Sequence, residues 1–176
     1  MLILHVADYF SNVVINPDSF PDGTLHLNLP QYKVNAIEWR YENDAELFTL
    51  ICIAKHYSNY NPILIMPYIP HARMDRVKSD KEIFTLKYFC WFINSLGFDK
   101  VYIMDPHSIV SEALIDNVCV LRPTNIISKV IDKMLCLNDF EREVVIYFPD
   151  DGAYKRYKDL PCFKDLKCIY RKKERD

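Results

Sequence analysis

Glycine is the residue that this sequence most clearly lacks. Three glycines in 176 residues, Gly23, Gly97 and Gly152, fall far below the usual share of roughly 7%. Walker A loops and dinucleotide fingerprints need several glycines close together, so that the backbone can approach phosphate, and both are excluded. Any phosphate that this protein binds is therefore held mainly by other means, or is held elsewhere.

The sequence also lacks an excess of charge, a long apolar run and a cysteine pair motif. Lys plus Arg number 22 and Asp plus Glu 24, a net charge of -2, which gives no bulk attraction to nucleic acid or to an anionic membrane. The sequence contains no stretch of 18 apolar residues of the kind that spans a membrane, and the apolar opening Met1–Val6 is too short for a signal peptide. The six cysteines form no Cys-x-x-Cys motif and lie mostly in apolar runs, which is typical of buried reduced thiols. These features predict a cytoplasmic protein.

Short β-rich runs alternate with helical patterns along the chain. Half of the residues are hydrophobic, enough for a sizeable core in one large domain or two small ones. The predicted strands are Leu2–Val6, Thr24–Leu29, Ile63–Tyr68, Val101–Met104, Val144–Phe148 and Leu166–Tyr170, and the predicted helices are Asp44–Tyr57, Glu82–Leu96, Asn125–Leu135 and Gly152–Leu160. Such alternation predicts an α/β fold, a mostly parallel sheet with helices on both faces.

Polar side chains follow three consecutive strands of this pattern. The third, fourth and fifth predicted strands are followed by Arg73-x-Asp75-Arg76, by Asp-x-His107 and by Asp150-Asp-Gly. Each has a structural interpretation by itself: a surface ion pair of Arg73 with Asp75, a loop histidine, and a helix N-cap at Asp150. Together, at one edge of one sheet, guanidinium, imidazole and carboxylate groups suit a metal-bound polyphosphate.

The same residues carry a resemblance to a known family. Met66–Arg76 resembles the Pro-Tyr-x-x-x-Ala-Arg-Gln-Asp-Arg segment of the ribose-phosphate diphosphokinases, also called phosphoribosyl diphosphate synthetases. Met-Asp-Pro-His at 104–107 is similar to the family's Met-Asp-Leu-His, and Phe148–Arg156 to its Ser-Pro-Asp-x-Gly-Gly-x-x-Arg stretch. Phe20–Thr24 resembles the family's Phe-Pro-Asp-Gly-Glu hairpin, and Lys173-Glu174-Arg175 its Lys-x-Arg loop. The five motifs stand in the family's order along nearly the whole chain.

This resemblance implies magnesium-dependent transfer of the diphosphoryl group of ATP to the 1-hydroxyl of ribose 5-phosphate. It also implies that the hairpin reaches the adenine pocket of a neighbouring subunit, so we expect a homo-oligomer. The implied residues are Phe20, Asp22, Arg73, Asp75 and Arg76 for ATP, His107 and Asp150 for magnesium, and Lys173 and Arg175 as catalytic cations of a loop that closes over the transferring group.

Among several departures from the family pattern, two substitutions and the missing acceptor side matter most. Thr24 stands where the family has an acidic residue, and Met74 where it has glutamine. We expect residues 1–176 to form a single α/β domain like the family's N-terminal, ATP-binding domain. Nothing in the chain matches the acidic Thr/Gly loop that binds ribose 5-phosphate in the second domain.

Three explanations of this half-length match stay open. The chain is a fragment of a longer synthetase, one half of an enzyme completed by a complementary chain, or a non-catalytic regulatory or structural homologue. In the first two cases we expect it to be inactive without the missing half. A metal-dependent hydrolase using His107, Asp150 and Asp151 is a weaker hypothesis, because the sequence offers no second cluster of metal ligands.

Overall fold

The structure is a computed structural model that describes residues 1–7, 11–137 and 144–171. The chain divides into two compact units, Met1–Leu121 and Arg122–Asp176. The first contains β1 (Leu2–Val6), β2 (Asn12–Ile15), β3 (Asp18–Ser19), β4 (Leu25–His26), β5 (Val34–Trp39), α1 (Glu46–His56), β6 (Ile63–Met66), α2 (Thr85–Ser95), β7 (Val101–Met104), α3 (Ile109–Leu114) and β8 (Val118–Leu121). The second contains α4 (Thr124–Leu137), β9 (Val145–Phe148), α5 (Asp151–Tyr157) and β10 (Lys167–Tyr170).

Six strands of the first unit form one sheet, in the order β2-β1-β5-β6-β7-β8. The neighbours β5, β6, β7 and β8 run parallel, whereas β1 is antiparallel to both β2 and β5. A short antiparallel hairpin, β3 with β4, stands apart from this sheet. The predicted α/β class with a mostly parallel sheet is confirmed.

Helix α2 shows why the first unit packs as it does. It buries Leu86, Phe89, Cys90 and Ile93, which are spaced so that they share one helical face. After the helix, Gly97 adopts φ +74°, the left-handed conformation that glycine reaches without a Cβ penalty. The predicted helix end at Gly97 is confirmed.

The cysteines follow the sequence prediction only in part. All six are free thiols, but Cys90 alone is buried, while the others are partly or fully exposed. Burial raises the pKa of the Cys90 thiol to about 11, so this side chain behaves as a small apolar core residue.

The second unit has a small core and a separate sheet. β9 and β10 pair in parallel as two strands, and Phe148 of β9 is buried in one cluster with Ile131 and Phe163. The expectation that the three polar strand ends lie at one edge of one sheet is therefore wrong, because β9 pairs with β10 in a sheet of its own.

Candidate functional site

The carboxyl ends of β6 and β7 open into a cavity of about 230 Å³. These strands are parallel neighbours, with Met66 paired to Ile103, so the segments that follow them emerge side by side. The lining residues are Pro67, Tyr68, Ile69, Met104, Asp105, Pro106 and His107. The structure therefore brings His107 to the same sheet edge as the segment that leads to Arg73.

A hydrogen bond joins the two segments. The Ser108 hydroxyl donates to Asp75 Oδ2 over 2.7 Å, although the two residues are 33 positions apart. The Arg76 guanidinium adds two hydrogen bonds to the same carboxylate, Nε to Oδ1 at 2.7 Å and a terminal nitrogen to Oδ2 at 3.2 Å. Asp75 pairs with Arg76 rather than with Arg73, which corrects the ion pair predicted from the sequence.

These contacts fix the charge of Asp75. Its side chain is 15% exposed and that of Arg76 is 70% exposed. Hydrogen bonds from Arg76 and, to a smaller degree, from Ser108 lower the pKa of the Asp75 carboxyl to about 2. The carboxylate therefore stays ionised at neutral pH and offsets much of the positive charge of Arg76.

Ser108 is a site residue that the sequence analysis missed. Its oxygen also accepts a hydrogen bond from the Val110 N–H at 3.2 Å, which makes it the N-cap of α3. One buried hydroxyl thus starts the helix after His107 and positions Asp75. Ser108 directly precedes an apolar run, which favours a helix N-cap, but its hydrogen bond to Asp75 cannot be predicted from a local sequence pattern.

Arg73 is the cation of this edge that keeps its charge available. Its side chain is exposed. Within residues 1–7, 11–137 and 144–171, the guanidinium makes no hydrogen bond or ion pair. A planar guanidinium presented in this way can bind two phosphate oxygens at once.

The hairpin predicted around Phe20 is present. Asp18 and Ser19 pair with His26 and Leu25, and Gly23 takes the left-handed conformation at φ +83°. The Phe20 ring is 51% exposed and lies 4.7 Å from the ring of His26. It is therefore accessible to a second molecule, as the resemblance implies.

Asp22 at the tip of the hairpin is engaged within its own loop. Its Oδ1 accepts hydrogen bonds from the Thr24 backbone N–H at 3.0 Å and from the Thr24 hydroxyl at 2.7 Å. These bonds lower the pKa of the Asp22 carboxyl. Thr24, which replaces an acidic residue of the family pattern, thus binds the very carboxylate that was predicted to contact ATP.

Asp150 lies in the second unit and caps a helix. Its Oδ1 accepts the Ala153 N–H at 2.9 Å at the start of α5, so the structural interpretation is confirmed. Its pairing with His107 around magnesium stays a prediction. The predicted catalytic residues Lys173 and Arg175 lie outside the described residues.

A magnesium ion would find few protein ligands at this edge. In the described part of the chain, no group of three or more His, Cys, Asp or Glu side chains is arranged to hold a metal. Mg²⁺ usually keeps several waters and is bound through one or two carboxylates plus substrate phosphates. The carboxylate of Asp105, which lines the cavity together with His107, therefore fits a magnesium ion that arrives with its phosphates.

Comparison with known proteins gives one consistent family name. No family model matches the chain. It is 25% identical over 166 residues to the ribose-phosphate pyrophosphokinase of Sulfurisphaera tokodaii, covering 89% of this chain and 55% of that protein. It is 26% identical over 188 residues to the enzyme of that name from Methanobrevibacter smithii, covering 99% of this chain and 60% of that one. The chain thus spans about half the length of the curated relatives it matches.

A solved structure shows the same fold. The crystal structure of the phosphoribosylpyrophosphate synthetase from Mycobacterium smegmatis superimposes with a TM-score of 0.68, at 16% sequence identity. The match covers 93% of this chain and 57% of that one. None of the helices in the described residues is long and apolar enough to cross a membrane.

Proposed function

Because this chain is related in sequence and fold to the ribose-phosphate pyrophosphokinases, we propose that it supplies the ATP- and magnesium-binding half of such an enzyme. The complete enzyme transfers the diphosphoryl group of ATP to the 1-hydroxyl of ribose 5-phosphate. The observation that carries this proposal is the hydrogen bond from Ser108 to Asp75. It holds the Arg-x-Asp-Arg segment against the His107 loop at the carboxyl ends of two adjacent parallel strands.

Each side chain then has a distinct part in the transfer. Arg73 binds phosphate oxygens, while Arg76, whose charge is partly offset by its pair with Asp75, contributes a weaker attraction at the same edge. As the sugar hydroxyl attacks the β-phosphorus and AMP leaves, negative charge grows on the phosphate oxygens, which the cations stabilise. Magnesium, which the resemblance assigns to His107 and Asp150, would supply further charge neutralisation. The predicted catalytic cations Lys173 and Arg175 would add to this charge stabilisation.

The second unit supports the idea that this chain holds only half of the site. One face of the β9/β10 pair is covered by the unit's small core, but Val145, Tyr147 and Ile169 on these strands are exposed. Parallel sheets are normally covered on both faces, and two strands alone are marginally stable. We infer that further secondary structure, in the same protein or in a complementary chain, completes this sheet and brings the ribose 5-phosphate site.

The hairpin extends the same proposal to assembly. Phe20 and Asp22 are exposed on the turn between β3 and β4, and, in line with the resemblance, we propose that a second copy of the chain completes each ATP site. We place the protein in the cytoplasm as a homo-oligomer.

A non-catalytic homologue is the second candidate, and the hydrogen bonds of Asp22 favour it. Because Thr24 occupies Asp22 Oδ1 twice, nucleotide recognition by the hairpin is weakened relative to the family pattern. Met74 removes an amide from the Arg-x-Asp-Arg segment in the same way. In this case the chain keeps the fold and its assembly contacts, and regulates or supports an active relative.

The direct test is magnesium-dependent ATP binding, measured by isothermal titration calorimetry and by thermal shift. We expect ATP to bind in magnesium and Arg73→Ala to weaken binding by about tenfold, roughly 1.4 kcal/mol. Lys55→Ala is a matched control. Lys55 lies in the last turn of α1, and α1 runs back from the carboxyl end of β5, so its last turn lies toward the opposite edge of the sheet.

Two results would contradict the proposal. One is the absence of any magnesium-dependent ATP binding by the wild-type chain. The other is an equal loss of affinity in Arg73→Ala and Lys55→Ala, because a general charge effect would then explain the binding.

A further inference from the structure

A second cavity of the first unit opens between the beginnings of α1 and α2. Its volume is about 320 Å³, within the range of small-molecule sites. Three aromatic side chains of α2 are among its lining residues. The lining residues are Asp44, Leu47, His71, Thr85, Tyr88, Phe89 and Phe92.

One carboxylate marks the rim of this cavity. Asp44 Oδ1 accepts a hydrogen bond from the Tyr41 hydroxyl at 3.0 Å and lies 3.0 Å from His71 Nε2. Both contacts end on the same oxygen. Among the described residues, no side chain donates a hydrogen bond to Oδ2 of Asp44, so this oxygen is left for an incoming donor.

The aromatic wall favours the same kind of ligand as the carboxylate. The face of an aromatic ring carries negative potential and attracts cations, most strongly where water is displaced. Tyr88 is 61% exposed although it lines the cavity, so its ring is available to a ligand. Phe89, beside it, is buried and packs its ring 5.5 Å from that of His71.

We propose that this cavity binds a small organic ammonium ion with an apolar body. The ammonium donates to Asp44 Oδ2 and lies against the rings of α2, while the apolar body fills the space above Leu47 and Phe92. A neutral ring gains only the apolar contacts, and an anion is repelled by Asp44. The site is distinct in its chemistry from the phosphate-binding edge at Arg73, and nothing in the proposed transfer uses it.

The test is a titration with 2-phenylethylammonium in the absence of nucleotide, in which binding is measured by ligand-observed NMR and by calorimetry. We expect saturable binding of one molecule per chain. Asp44→Asn should lower the affinity at least tenfold, because it removes the charge at nearly constant shape. Tyr88→Leu should lower it severalfold by removing one ring face.

Trp91→Leu is the matched control for Tyr88→Leu. Trp91 lies on the same helix and is 70% exposed, but it does not line the cavity, so the affinity should not change. Ethylammonium, which has the charge without the ring, and 2-phenylethanol, which has the ring without the charge, should each bind at least tenfold more weakly than 2-phenylethylammonium.

Three outcomes would overturn the proposal. They are binding that does not saturate, equal binding of 2-phenylethanol and 2-phenylethylammonium, and equal effects of Tyr88→Leu and Trp91→Leu. If Asp44→Asn fails to fold, Tyr88→Leu still tests whether the ligand binds in this cavity. Since no ATP is present, the result is independent of the proposed diphosphokinase function.

Discussion

At the scale of single residues, Asp75 decides how the edge at the carboxyl ends of β6 and β7 is built. Two hydrogen bonds come from its neighbour Arg76 and one comes from Ser108, 33 residues away. The sequence indicated an ionic role for this segment, but it could not reveal the contact with Ser108, because that contact depends on β6 and β7 lying side by side. Of the two arginines, Arg76 is paired with Asp75, whereas Arg73 makes no such pair among the described residues.

Acidification should therefore destabilise the chain through Asp75. Its pKa is about 2 in the folded state, against an ordinary value of 3.8, so the ionised form favours folding. The stabilisation is fully present above about pH 4 and is lost as the pH falls toward 2. We expect it to be on the order of 1 kcal/mol, since the exposed Arg76 is screened by solvent.

Urea unfolding of wild type and Asp75→Asn at pH 6 and at pH 2.5 measures this contribution. The difference between their free energies of unfolding should be largest at pH 6 and should shrink at pH 2.5. Asp80→Asn, at an exposed position of the same loop, is the control and should match wild type at both pH values. A difference for Asp75→Asn that does not change with pH would show that its charge does not stabilise the fold.

At the scale of elements, the sequence predicted those whose signals are local. Strand β1 was predicted with its observed bounds, and α2 was predicted from its apolar spacing and Gly97. Helix α3 was missed because its six residues are too few to show a helical period. Strand β5 was missed because Asn35 and Glu38 interrupt its apolar run. In the fold, the Glu38 carboxylate lies 3.0 Å from the ring of His5 in the neighbouring strand β1, a partner that no local pattern predicts.

Asp150 shows how one residue at an element boundary can combine a structural and a proposed functional role. It caps α5 and is also proposed to bind magnesium. Asp150→Ala should cost about 1 kcal/mol of unfolding free energy, because the Ala153 N–H loses its acceptor. Asp150→Ser should restore most of that stability, since serine is a good N-cap, but it offers no carboxylate to a metal.

The two variants therefore separate capping from metal binding. We expect Asp150→Ser to unfold at nearly the wild-type urea concentration and yet to need severalfold more magnesium for half-maximal ATP binding. If Asp150→Ser needs no more magnesium than wild type for half-maximal ATP binding, Asp150 acts only as a helix cap. Asp151→Ser, which removes a surface pair with Lys155, is the control for a general loss of negative charge.

At the scale of the whole molecule, the sequence predicted an α/β fold and a half-length match, but not the division into two units at Leu121. Which strands share a sheet depends on long-range pairing, and the strand pattern around Val145–Phe148 looks the same in either sheet. The exposed apolar face of β9 and β10 is equally invisible to local patterns. This face and the length of the relatives are the two observations behind the half-site proposal.

The last prediction tests the half-site proposal. The chain alone should bind ATP in magnesium but release no AMP when ribose 5-phosphate is added, because nothing in it matches the acceptor loop. Adding the coding sequence that follows residue 176, or a neighbouring gene with an acidic Thr/Gly loop, should start AMP release, which a coupled assay measures. In that completed protein Arg73→Ala should abolish the activity and Lys55→Ala should leave it unchanged. AMP release by the chain alone would contradict the half-site proposal, whereas ATP binding without release in the completed protein would establish the non-catalytic homologue.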